Sequence, residues 1–460
     1  MTAPASRPTS TFDRMLDEML GDERTVEVTV TGEGGLPSVF PVTELAAASV
    51  GAAGAAVSEL LASSGAAPRD VTVDRRLASM WFASSLRPVG WEPPPPWDPV
   101  AGDYRSADGW IRLHTNAPAH RAAALGVLGA PPERDRVAAE VATWDADELE
   151  AAIVAAGGCA ATMRTQEQWA AGDPGRSVAA EPLINWEDAG TTSSAGRRRD
   201  PARPLAGVRV LDLTRVLAGP VATRFLALLG ADVLRIDPPW WDEPGVVPDV
   251  MLGKRSARLD LGRAADHARF VDLLAEADVL VHGLRPGALD GLGLGRGIRR
   301  DLAPDLIEVS LDAYGWSGPW AHRRGFDSLV QMSTGIADTG MRVLGRDRPT
   351  PLPVQALDHA TGYLMASAAI RALALRSATG RIVGARLSLA RTAALLTAEG
   401  ARPPGPTLRA EDAADLDRAV ERTGWGSAQR LRAPLRIDAV DFAADAPARP
   451  LGGDAPGWRG

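Results

Sequence analysis

The chain has 460 residues, 45% hydrophobic and 23% charged, enough for two or three domains that each bury a core. Its formal net charge of −8 argues against a nucleic-acid partner, and its single cysteine, Cys159, excludes an internal disulfide and fits a reducing compartment. No apolar run approaches the ~20 residues of a membrane span, and the N-terminal segment lacks a basic stretch followed by an apolar one, so a cytoplasmic protein without a membrane partner is expected. Cys159 sits between Gly157-Gly158 and Ala160-Ala161 and reads as an inert core thiol. The six histidines show no metal-ligand spacing, so no metal site is expected.

In chain order, residues 1–26 read as a tail with one short amphipathic helix. Residues 27–99 mix short apolar alternation with an Ala-rich helical run, and Pro93 to Pro96 mark a stiff extended connection. Residues 100–195 read as a small α+β unit. Asp108-Gly109 favours a tight turn into a strand, and helices are expected around 118–128 and 145–156. A charged linker at 196–203 follows.

From 204 to 400 strands and helices alternate. A strand at Val208–Leu213 precedes a helix opening at Pro220, whose apolar face is Val221, Phe225, Leu228 and Leu229 and whose stop is Gly230. A strand over Asp232–Ile236, a helix over 264–276 and strands over Val279–His282 and Leu306–Leu311 extend the pattern. The spacing predicts an α/β fold: a Rossmann-like, doubly wound parallel sheet with a second, smaller α+β domain. Residues 401–460 read as a segment returning to the large domain. The loop after the first strand, Thr214 to Pro220, lacks G-x-G-x-x-G, so the usual nicotinamide or flavin cradle is missing.

There is an internal echo. Residues 36–82 resemble 350–396 at a constant offset (358 − 44 = 314), each running proline, acid, long small-residue helix, strand. Residues 27–99 thus read as a partial, degenerate copy of the large domain, in which Glu44 stands where Asp358 stands in the second copy.

The motifs beginning Pro204-Leu205 and Val210-Leu211-Asp212, then Ala218-Gly219-Pro220, Leu229-Gly230-Ala231-Asp232-Val233, Gly253-Lys254-Arg255-Ser256 and Arg285-Pro286-Gly287 resemble the class III coenzyme A transferases. The likeness is close over 204–400 and weaker over 27–195. It implies that Asp358, in Leu357-Asp358-His359-Ala360-Thr361-Gly362, is a covalent nucleophile. Read alone, Asp358 sits between an apolar strand-like segment and a helix starting near Thr361, where capping that helix is the favoured reading. The resemblance places Val216, Leu217 and Ala218 along a pantetheine arm, beside Arg215, with Leu284 and Arg285 at the adenine end and Arg324 near the thioester. Lys254 and Arg255 are candidates for phosphate contact. Leu217 implies a less polar acid.

The resemblance therefore implies an acyl-CoA and a free carboxylic acid as small-molecule partners, coenzyme A as substrate, and no permanently bound cofactor. Thr361-Gly362 could supply oxyanion donors. A homodimer, or one copy folded against the other within one chain, are the assemblies it leaves open. Two other readings stand beside transfer: a CoA-dependent isomerase, racemase or lyase, and a degenerate acyl-CoA-binding protein. Phe326 weighs against racemisation, because the related racemases carry histidine before the equivalent of Asp327 and a phenyl ring moves no protons.

Overall fold

The computed structural model describes residues 10–21, 25–193 and 199–459, so part of the expected linker lies outside the described residues. The N-terminal part comprises α1 (Thr11–Leu20), β1 (Val28–Thr31), α2 (Val42–Ala62), β2 (Val71–Asp74), α3 (Arg75–Trp81) and β3 (Leu86–Pro88). The small unit follows as β4 (Gly102–Arg105), β5 (Trp110–Leu113), α4 (Pro118–Leu128), α5 (Arg134–Val141), α6 (Ala146–Ala155) and β6 (Ala160–Thr162). Two short helices, α7 (Gln166–Ala171) and α8 (Asp173–Ala179), lead to β7 (Asn185–Thr191). The large domain runs β8 (Arg209–Leu213), α9 (Ala218–Leu228), β9 (Asp232–Asp237), α10 (Val247–Val250), β10 (Arg255–Arg258), α11 (Ala264–Ala275), β11 (Val279–His282), α12 (Arg296–Leu302), β12 (Ile307–Asp312), α13 (Asp327–Ser333), α14 (Ile336–Val343), α15 (Ala356–Thr379), β13 (Arg381–Ser388) and α16 (Leu389–Ala398). The chain closes with β14 (Leu416–Thr423), β15 (Gly426–Leu431) and β16 (Leu435–Ile437).

The main sheet has seven strands in the order β10-β9-β8-β11-β12-β13-β7. Its six parallel strands, counted in chain order, lie 3-2-1-4-5-6, the doubly wound order. β8, β9 and β11 are buried along nearly their whole length on both faces, and the charged side chains inside them are paired, Arg235 with Asp237 and Asp212 with Lys254. β7 pairs antiparallel to β13, so the end of the stretch assigned to the small unit forms a strand at the edge of the main sheet. The helix α5 also went unforeseen, because its eight residues, RDRVAAEV, are charged and bury only Val137 and Val141.

α15 lies against α2, and small residues on both let the backbones approach: Ser367 Oγ donates to Ala52 O at 3.2 Å, and Arg371 pairs with Glu59 at 3.1 Å. α2 is long and apolar enough to cross a membrane, with mean hydropathy 1.6, contrary to the expectation that no such run exists. It is a core helix here, buried along most of its length. Its far face packs on the β1-β2-β16 sheet so tightly that a β-carbon on Gly54 would come within 2.7 Å of Val71.

The 314-residue offset has a geometric counterpart. The residues preceding α2 and α15, Pro41 and Gln355, share one backbone conformation, φ −76 and ψ 64 against φ −75 and ψ 65. Asp74 and Ser388, at the ends of β2 and β13, each cap the next helix through the side chain. β16 flanks β2 antiparallel, as β7 flanks β13. The offset also carries Phe12-Asp13 onto Phe326-Asp327.

Candidate active site

Chain connections leave β8 and β11 in opposite directions, so the loops at their carboxyl ends diverge and open a crevice. A cavity of about 430 Å³ lies there. Loops after β8 and β11, the end of β12, the approach to α13 and the first turn of α15 line it. His120, from α4 of the small unit, completes it.

Nine of the residues singled out from sequence meet in this cavity: Arg215, Val216, Leu217, Ala218, Leu284, Arg285, Arg324, Phe326 and Asp358. Arg215 lies 4.3 Å over the Trp241 ring and 3.6 Å from Asp237. Val216 has φ +65, a left-handed conformation that a β-branched residue adopts only under constraint, and its N–H donates to Glu243 at 2.8 Å. Leu217 precedes α9 without a side-chain cap, which leaves the first N–H groups of that helix, on Ala218 and Gly219, without intrahelical partners. Pro220 is the third helical residue rather than the first.

Asp358 sits in the first turn of α15, which starts at Ala356, not near Thr361, and no strand precedes it. A crossover helix runs antiparallel to the strands, so this turn comes to the sheet's carboxyl edge. The side chain is buried, not openly exposed, and its carboxylate has no hydrogen-bond partner among the described residues. The backbone N–H of Asp358 donates to Asp327 Oδ2 at 2.9 Å, and Asp327 also accepts from Gln331. Burial pushes Asp358 well above the usual carboxylate range, and the neighbouring Asp327 adds to it. Burial likewise pushes Asp327 up to about 6, against the donors that hold its charged form. Those donors decide the order in which the pair ionises: Asp327 first, Asp358 second.

Phe326 stacks on His114 with ring centres 3.7 Å apart and meets His120 edge-on at 5.8 Å. Burial drives His114 down to about 3. His359 stacks on Phe82 at 5.0 Å, away from the carboxylate beside it in sequence. Burial pushes the Cys159 thiol up to about 12, as an inert core cysteine requires.

Three expectations need correction. Lys254 does not line the cavity: Nζ is fully buried and donates to Asp212 at 3.2 Å, Thr223 Oγ1 at 2.6 Å and Pro220 O at 2.9 Å. Arg255 pairs with Asp232 at 2.9 Å and donates to Gly457 O at 2.5 Å, on the far side of the sheet edge from the cavity lining. Thr361 and Gly362 lie inside α15, so their N–H groups belong to the helix. Gly362 has another use, since a β-carbon there would run into the carbonyl of Ala218.

Sequence reasoning missed three residues of the site, His120, Trp241 and Asp312, and the bond that the Asp358 backbone N–H donates to Asp327. Asp312 ends β12, the position where ligand-facing acids occur in open sheets, and burial pushes it up to about 8. Glu44 lies in a separate cavity of about 290 Å³ and pairs with Arg75 at 2.5 Å.

The sequence profile of CoA-transferase family III matches residues 205–407. It is 34% identical over 213 residues to acetyl-coenzyme A transferase nodX of Hypoxylon pulicicidum, covering 45% of this chain and 35% of that one. It is 34% identical over 197 residues to succinyl-CoA:glutarate CoA-transferase of Mus musculus, covering 40% and 44%. Among solved structures it is similar to Rv3272 of Mycobacterium tuberculosis, with 33% identity, TM-score 0.40, and 44% and 59% of the two chains covered. The chain thus spans less than half the length of these two curated relatives.

Proposed function

We propose that the chain transfers coenzyme A from an acyl-CoA thioester to a free carboxylic acid, with Asp358 as the attacking carboxylate. The observation that carries this reading is an unpartnered carboxylate, buried in a crevice that also holds the free N–H groups of Ala218 and Gly219. The match of residues 205–407 to the CoA-transferase family III profile and the names of the relatives support it.

In this reading an Asp358 oxygen attacks the thioester carbonyl. The negative charge gathers on the carbonyl oxygen, where the α9 N–H groups stabilise it. The C–S bond breaks, CoA leaves as thiolate, and a mixed anhydride remains on Asp358. The thiolate attacks the aspartyl carbonyl, releasing the donor acid and leaving an enzyme–CoA thioester. The acceptor carboxylate attacks that thioester, and the freed thiolate then takes the acyl group, regenerating Asp358. No step needs a net proton transfer, in keeping with a site where Phe326 occupies the position a base would need. Arg285, exposed and bordering both this cavity and a second of about 200 Å³, is placed to meet a phosphate of CoA.

The first copy supplies packing rather than chemistry in this reading: α2 lies against α15, and no residue of 27–99 lines the cavity. Arg75 neutralises Glu44 at the position equivalent to Leu389, which in the second copy lines the cavity with Asp358. The test is a panel of acyl-CoA donors and free acids, read by mass spectrometry for new thioesters. New thioesters that vanish in Asp358→Ala support transfer. Exchange of the acyl α-proton in deuterium oxide without new thioesters would establish isomerisation instead, and tight CoA binding with neither would establish a binding protein.

A further inference from the structure

Two groups in the cavity have no part in the steps above. Arg324 is half-buried, donates one long bond of 3.3 Å to Gly157 O, and faces no carboxylate within ion-pair distance among the described residues. Its neighbour Arg323 shows the contrast: it pairs with Glu150 at 2.6 Å, donates to Ala160 O at 3.0 Å and lies 3.9 Å over the Trp320 ring. A guanidinium taken partly out of water without a counter-ion is costly to keep, and it gains most from an anion that arrives with a ligand.

His120 is the second group. Neither ring nitrogen has a hydrogen-bond partner among the described residues, and Nδ1 is shut off from solvent. Nε2 is the nitrogen left to meet a ligand. The edge-on contact with Phe326, itself stacked on His114, fixes the ring's direction. Burial and the charge of Arg324 lower the His120 pKa, so near neutral pH the arginine holds the charge and the imidazole supplies a hydrogen bond. Both groups share the cavity with Asp358, while Val216, Leu217 and Ala218 give it an apolar wall.

We propose that Arg324 and His120 form a subsite for a second carboxylate on the transferred acid, so that the acyl groups taken are half-thioesters of short dicarboxylic acids. This rests on the Asp358 reading for the placement of the acyl group. It departs from the less polar acid that Leu217 alone implied, because the polar function comes from the small-domain side of the cavity.

The test compares binding of succinyl-CoA, butyryl-CoA and free CoA to the full chain by calorimetry, with no acceptor acid present. The first two differ by a carboxylate against a methyl group. Succinyl-CoA is expected to bind about tenfold or more tightly than butyryl-CoA. Arg324→Gln should erase that preference and leave free CoA within about twofold of its original affinity. Arg324→Lys, which keeps the charge, should retain part of it, and His120→Asn should weaken it. Equal affinities in the unaltered protein, or a loss in Arg324→Gln that is as large for free CoA as for succinyl-CoA, would overturn the proposal. Binding is read without turnover, so a preference for succinyl-CoA with no acylation of Asp358 would uphold the subsite while removing the transfer reading. Acylation without the preference would do the reverse.

Discussion

Replacing Asp327 with asparagine probes the coupling on which the proposed reactivity of Asp358 depends. Asparagine keeps the shape and an oxygen to accept the Asp358 N–H, now bonded at 2.9 Å, and removes only the charge. Asp327 is pushed up to about 6, so above that pH it is ionised and opposes ionisation of Asp358. Two unit charges about 5 Å apart repel by roughly 3 kcal/mol at an effective dielectric near 20, equivalent to about two pH units of titration. In the proposed transfer the attacking form of Asp358 is the carboxylate, so the rate should rise with pH through its raised pKa. In Asp327→Asn that rise should move to lower pH by on the order of one to two pH units, with the plateau rate largely kept. The assay is the pH dependence of acyl-CoA to acid exchange at saturating substrates. An unmoved acid limb, or one displaced to higher pH, would refute the view that the two carboxylates compete for one charge.

Two further outcomes follow from the surroundings of the site. Lys254→Met leaves Asp212 buried without its cation and should destabilise the protein by about 3–5 kcal/mol, whereas Arg285→Gln should leave stability nearly unchanged and weaken CoA binding; thermal unfolding and calorimetry read the two effects separately. Val216→Gly relieves a positive φ and should cost no stability or add up to ~1 kcal/mol, while loosening the loop and raising the KM for acyl-CoA more than it lowers kcat.

Much of the large domain was legible because its signals are local. A strand, a helix with an apolar face and a closing glycine lie within one short stretch from Arg209 to Asp237, and six strands of the seven-stranded sheet are parallel, as expected. The loops that line the cavity could be named because they occupy the carboxyl ends of those strands. The start of α15 was misplaced because LPVQAL is a short apolar run, and such runs do not distinguish a strand from a buried helix turn. Lys254 was misread because its burial depends on Asp212, 42 positions away in sequence, and on Thr223. His120 carried no signal of its own: the small unit brings it to Phe326 across more than two hundred residues of chain, and no spacing rule reaches that far.

The central claim is that Asp358 becomes acylated by a CoA thioester. Acyl-CoA is added to the protein, the reaction is quenched with hydroxylamine, and peptides are read by mass spectrometry. A hydroxamate at Asp358, absent at Glu44 and dependent on the thioester, is the expected result. An unmodified Asp358 under conditions where thioester exchange proceeds would contradict it.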